Sequence, residues 1–167
     1  SLDMRNIMSN GNPDDFLMVY IGRLGAEKRL KDLKPVLQSM SNARLCIVGT
    51  GPQKEELEEF FKDDKVMFTG QLSGDDLSAA FASADAFAMP SDSETLGFVV
   101  LESMASGVPV VGAAAGGILD LIDHGKTGFL ASPGDTKEFV KRLTELRNSK
   151  VRERMGKAAR TEAERWG

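Results

Sequence analysis

From Phe16 onward, short apolar runs alternate with longer stretches of helical periodicity, and this alternation constrains the fold more than any other feature. "FLMVYI", "RLCIVG", "KVMFTG", "AFAMP", "VPVVGA" and "TGFLAS" have strand length and are largely apolar on both faces, as strands covered from two sides must be. Helical segments separate them. Strands and helices in strict alternation imply βαβ units, right-handed crossovers and a parallel sheet. The fold class is therefore α/β, a doubly wound, Rossmann-like parallel sheet. A chain of 167 residues has room for one such core and not for two.

The first stretch, "SLDMRNIMSNGNPDD" (1–15), reads as a polar leader, and 16–167 as the folded domain. Helices are expected over "EKRLKDLKPVLQSM", where Pro35 is an interruption, and over "PQKEELEEFFKD" and "SGDDLSAAFASA". In the last of these, Ser73 and Asp76 have the spacing of a capping box. Further helices are expected at "GFVVLESMAS", "GGILDLIDHG", "DTKEFVKRLTELRNSK" (with Asp135 and Glu138 as its cap) and "VRERMGKAARTEAER".

Several classes of function are disfavoured. A net charge of −4 offers no basic surface for nucleic acid or an anionic membrane. The single cysteine, Cys46, lies inside an apolar run and reads as a buried structural thiol. "GTGPQK" has two glycines of a dinucleotide fingerprint, but Lys54 stands at the third position. "HGKT" echoes a P-loop, but Asp120 replaces the required upstream glycine. No Asp-x-Asp pair or Cys/His cluster supports a metal site, and the one histidine, His124, reads as a solvated turn residue.

In a doubly wound sheet the ligand lies outside the carboxyl ends of the strands. Four glycine-bearing loops leave those ends: "GRLGAEK", "GTGP", "TGQLSG" and "PSDSETLG". The first brings Arg23 and Lys28, two cations able to neutralise a diphosphate. The last runs into "GFVVLESMAS", whose first turn presents unpaired N–H groups suited to an anion. Glu94 and Glu102 bracket seven residues, five of them apolar. A charge inside such a run is costly unless something polar meets it, and a carboxylate suits the hydroxyls of a sugar.

Together, "GRLGAEK", "IVGTGP", "MFTGQL", "MPSDSETLGFVVLESMASGVPVV" and "GGILDLIDHGKTGFL" resemble the C-terminal, donor-binding half of retaining two-domain (GT-B) nucleotide-sugar glycosyltransferases. The resemblance covers about residues 16–165. "SETLG" and "AAAGGILDLI" are most similar to sulfolipid synthases, which transfer sulfoquinovose from its UDP derivative to diacylglycerol. Leu119 departs from the proline usual in that group.

The resemblance implies roles residue by residue. Glu94 and Glu102 match the E-x7-E pair, facing the donor sugar and the ribose respectively. Gly22, Arg23 and Lys28 lie in the diphosphate-binding loop, with Arg23, Lys28 and Glu94 as the catalytic group. Thr95, Leu96 and Gly97 would offer backbone amides, and Gln71 and Leu72 would hold the nucleobase. The resemblance further implies metal-independent chemistry without a cofactor, an acceptor domain missing from this chain, a lipid acceptor and no nucleic-acid partner. A fragment of this kind would be inactive by itself. Its compartment would be cytoplasm or membrane surface in a bacterium, or plastid in an alga or plant. Two alternatives stay open: a non-catalytic nucleotide-sugar-binding module, and a dinucleotide-dependent oxidoreductase domain.

Overall fold

A computed structural model describes residues 2–91 and 96–166. Six parallel strands form one sheet: β1 (Phe16–Ile21), β2 (Ala43–Val48), β3 (Val66–Gly70), β4 (Ala86–Met89), β5 (Val110–Ala113) and β6 (Gly128–Ala131). Their order is β3-β2-β1-β4-β5-β6. The chain builds outward from β1 to β3, then returns to place β4 on the other side of β1. Neighbouring strands β1 and β4 thus send their following loops in opposite directions, which opens a crevice at their carboxyl ends. Every residue of β1, β4 and β5 is buried, consistent with the unbroken apolar runs.

The helices are α1 (Leu2–Met8), α2 (Leu33–Gln38), α3 (Lys54–Phe60), α4 (Gly74–Ser83), α5 (Leu96–Ala105), α6 (Ile118–Leu121), α7 (Thr136–Glu145) and α8 (Ser149–Glu164). One set packs α4 against α1 and α5, and α5 against α6 and α8; elsewhere α2 packs against α7.

Four expectations about local structure are corrected. The 1–15 stretch is more than a polar leader: α1 buries Met4 and Met8 in the core. Arg5 fastens it, donating to the carbonyls of Pro13 (2.7 Å) and Ser83 (2.8 Å) and pairing with Asp85 at 2.9 Å. The long helix expected after β1 is two 3-10 turns (Ala26–Lys28 and Leu30–Asp32) followed by α2. Arg29, in the left-handed region at φ 53°, breaks it, while Pro35 fits the first turn of α2, where its missing N–H is no loss. Ser73 precedes α4 but its side chain makes no capping hydrogen bond. Helix α8 begins at Ser149, because the Asn148 side chain accepts from the N–H groups of Lys150 (2.9 Å) and Val151 (3.2 Å). The Asp135 cap forms as expected, accepting from the Glu138 N–H at 3.1 Å.

Candidate functional site

The loops after β1, β2 and β3 are joined backbone to backbone. Gly22 N–H donates to the Val48 carbonyl (3.0 Å), Gly49 N–H to that of Gly70 (2.9 Å), and Leu24 N–H to that of Thr50 (3.0 Å). This approach explains the "GTG" glycines. A Cβ on Gly49 would collide with the Gly22 carbonyl oxygen, and one on Gly51 with the backbone of Leu24. The two glycines therefore serve loop-on-loop packing, which the broken dinucleotide fingerprint left unexplained.

Above these loops lies a cleft of about 320 Å³, lined by Ile21, Gly22, Arg23, Val48, Gly49, Thr50, Gln71, Leu72 and Leu77. Four expected site residues meet here: Gly22 and Arg23 from the loop after β1, Gln71 and Leu72 from the loop after β3. Thr50, from the "GTGP" loop, is not among the expected site residues, and Leu77, from α4, is an addition that no motif announces. Gln71 is exposed and Leu72 half-buried, so a polar rim borders an apolar wall.

The two cations of the first loop differ. Arg23 is exposed and pairs with Glu27 at 2.5 Å. Lys28 is only 3% exposed. Burial lowers its pKa from the ordinary lysine value, against the raising effect of Glu27 and with a further lowering by Arg23. Lys28 is not part of the cleft lining. Tyr20, fully buried under the loop, donates from its hydroxyl to the Arg23 carbonyl at 2.9 Å. Burial is the main cause of its strongly raised pKa, so the phenol keeps its proton.

Glu94 and Thr95 lie outside the described residues. Leu96 and Gly97 form the first turn of α5, which follows β4 beside the switch point. Glu102 is exposed farther along α5. With Phe98, Leu101, Ala105, Ala163 and Trp166 it lines a second, open pocket of about 300 Å³. The structure thus does not bring Glu102 into the lining of the Gly22 cleft.

Elsewhere, Cys46 is fully buried and its thiol is pushed up to about 12 by desolvation, as expected for a structural residue. His124 is exposed, but its Nδ1 accepts from the Leu130 N–H at 2.9 Å, so it has a structural bond beyond simple solvation. Among the described residues no cluster of His, Cys, Asp or Glu could hold a metal ion, and no helix is long and apolar enough to cross a membrane.

The profile of the family described as "Glycosyl transferases group 1" matches residues 5–162. Sulfoquinovosyl transferase SQD2 of Arabidopsis thaliana is 51% identical over 170 residues, covering 99% of this chain and 33% of that protein. A GDP-mannose-dependent alpha-mannosyltransferase of Corynebacterium glutamicum is 40% identical over 121 residues, 72% of this chain and 29% of that one. The chain therefore spans about a third of the length of these curated relatives. Among solved structures, Anabaena HepE in complex with UDP-glucose superposes with a TM-score of 0.86 at 26% identity, covering 98% of this chain and 47% of that one.

Proposed function

The chain belongs to the group 1 glycosyl transferases, and from that premise we propose that the cleft at the carboxyl ends of β1, β2 and β3 binds the nucleoside diphosphate of a UDP-sugar. Its fold is one half of the GT-B architecture, and the domain serves as the donor side of a retaining transferase that makes a glycolipid. Sulfoquinovosyl transfer to diacylglycerol is the reaction we assign, on the strength of the likeness to SQD2. The carrying observation for the ligand class is the convergence of Gly22, Arg23, Gln71 and Leu72 on one cleft at the carboxyl edge of the sheet.

The chemistry follows from charge. When the bond between the sugar's anomeric carbon and the diphosphate breaks, negative charge grows on the leaving phosphate. Arg23, Lys28 and the N–H groups at the start of α5 would stabilise it there, and stabilisation of this kind usually contributes more to the rate than any other single effect. The protein itself would supply this positive charge, and on this reading no metal or cofactor takes part. Glu94 is assigned to the sugar hydroxyls and Glu102 to the ribose; the exposure of the Glu102 carboxylate leaves it available to a ligand. The acceptor would be held mainly by a second domain, so this domain by itself would bind donor without transferring it.

Calorimetric titration with UDP, a UDP-sugar, GDP-mannose and NAD tests the assignment. Binding of UDP and the UDP-sugar in preference to the other two is expected. Preference for GDP-mannose would overturn the choice of base, and binding of NAD alone would overturn the ligand class.

A further inference from the structure

Arg23 carries an anion already. Its Nη1 lies 2.5 Å from Oε1 of Glu27, with side-chain exposures of 58% and 55%. The pair arches over Gly25, where a Cβ would collide with both the guanidinium and the carboxylate. The glycine thus lets the two side chains lie together on the backbone of the loop that borders the cleft. Glu27 is held below the usual carboxylate range first by its own backbone N–H, then by Arg23 and Lys28, so it is ionised at neutral pH. Its carboxylate also acts on Lys28, in whose field it favours the charged form. Within one short turn, a carboxylate therefore stands between the two cations assigned to the donor diphosphate.

We propose that Glu27 is a built-in counter-ion that occupies Arg23 in the empty cleft and must release it before a diphosphate can bind there. This rests on the donor-binding reading above and adds a residue that sets the cleft's selectivity. Ligands bearing two phosphates exchange the carboxylate for a stronger anion, whereas an uncharged nucleoside leaves the pair intact. While the cleft is empty the carboxylate neutralises the Arg23 guanidinium, and this keeps weakly charged ligands from claiming it. Because the pair is solvent-exposed, its hold is modest, and the expected effect of removing it is about a two- to fivefold change in affinity.

The test compares wild type, Glu27→Gln, Arg23→Gln and the double variant by calorimetry with UDP and with uridine. Urea denaturation of each confirms that the exposed substitutions leave the fold intact. Glu27→Gln should bind UDP about two- to fivefold tighter with unchanged affinity for uridine, and the gain should disappear in the Arg23→Gln background. Equal or weaker UDP binding by Glu27→Gln, with wild type binding UDP, would overturn the counter-ion role alone. So would an equal gain for uridine, or a gain that persists without Arg23. Failure of wild type and variant alike to bind UDP would overturn the donor-binding reading as well.

Discussion

The hydroxyl of Tyr20, completely buried, donates a 2.9 Å hydrogen bond to the backbone carbonyl of Arg23 three residues on. The side chain thereby ties the end of β1 to the loop that carries both candidate phosphate-binding cations. Tyr20→Phe keeps the apolar volume but leaves that carbonyl without its donor. The expected cost is about 1 kcal/mol of stability, read as a lower urea midpoint at unchanged m-value. UDP affinity should fall with it, because the Arg23 turn loses its anchor. Stability and affinity both equal to wild type would show that the bond restrains nothing.

Two helix starts that look alike in sequence should respond differently. Asp135 accepts from the Glu138 N–H, whereas the Ser73 side chain makes no capping bond. Asp135→Ala should therefore destabilise by about 1 kcal/mol and Ser73→Ala by almost nothing. Chemical denaturation of the two variants side by side provides the comparison. Equal losses would mean that Ser73 caps α4 after all.

Alkaline pH should weaken the fold through Cys46. Its folded-state pKa is raised from an ordinary value of 9.0 to about 12, so the folded protein holds the proton longer than the unfolded chain does. Stability from this group is complete below about pH 9 and is lost progressively as pH rises through the folded value. Urea midpoints collected across that range should decline, and the decline should be smaller in Cys46→Ala after allowing for its lower starting stability. The raised phenol of Tyr20 acts in the same direction.

Why the sheet was legible and parts of the loops were not has a physical explanation. Strands β1, β4 and β5, buried on both faces, leave unbroken apolar runs, and even the half-buried edge strand β3 keeps a short apolar run, so all six are readable. Their carboxyl ends mark the loop of Arg23, while Gln71 and Leu72 follow from the family resemblance. Arg29 broke the helix after β1 without warning, since a left-handed arginine has no local signature. Helix α1 looked like a polar leader because its burial depends on partners distant in sequence, above all Asp85 against Arg5. The clasp between Arg23 and Glu27 was likewise invisible: the spacing was plain, but only the path of the backbone over Gly25 shows the two ends meeting. The E-x7-E spacing is plain in the sequence; in the structure Glu102 lines a pocket with Phe98 and Trp166 and is not among the residues lining the Gly22 cleft.

That placement makes Glu102→Gln informative. If its carboxylate holds the ribose, UDP and a UDP-sugar should both bind less tightly, by a similar factor, since both contain the same ribose. Calorimetry with the two ligands reads this directly. Unchanged affinity for both would assign Glu102 to the Phe98 and Trp166 side and remove it from the donor site.

The central claim is that the cleft beside Gly22 binds a nucleoside diphosphate through protein charge. Its most direct test is UDP calorimetry on wild type and Arg23→Ala, each with and without a chelator of divalent metals. We expect wild type to bind UDP equally well with chelator present, and Arg23→Ala to bind about tenfold or more weakly, as loss of a hydrogen bond to a charged group implies. Binding that requires added magnesium or manganese, or that is indifferent to Arg23, would contradict the claim.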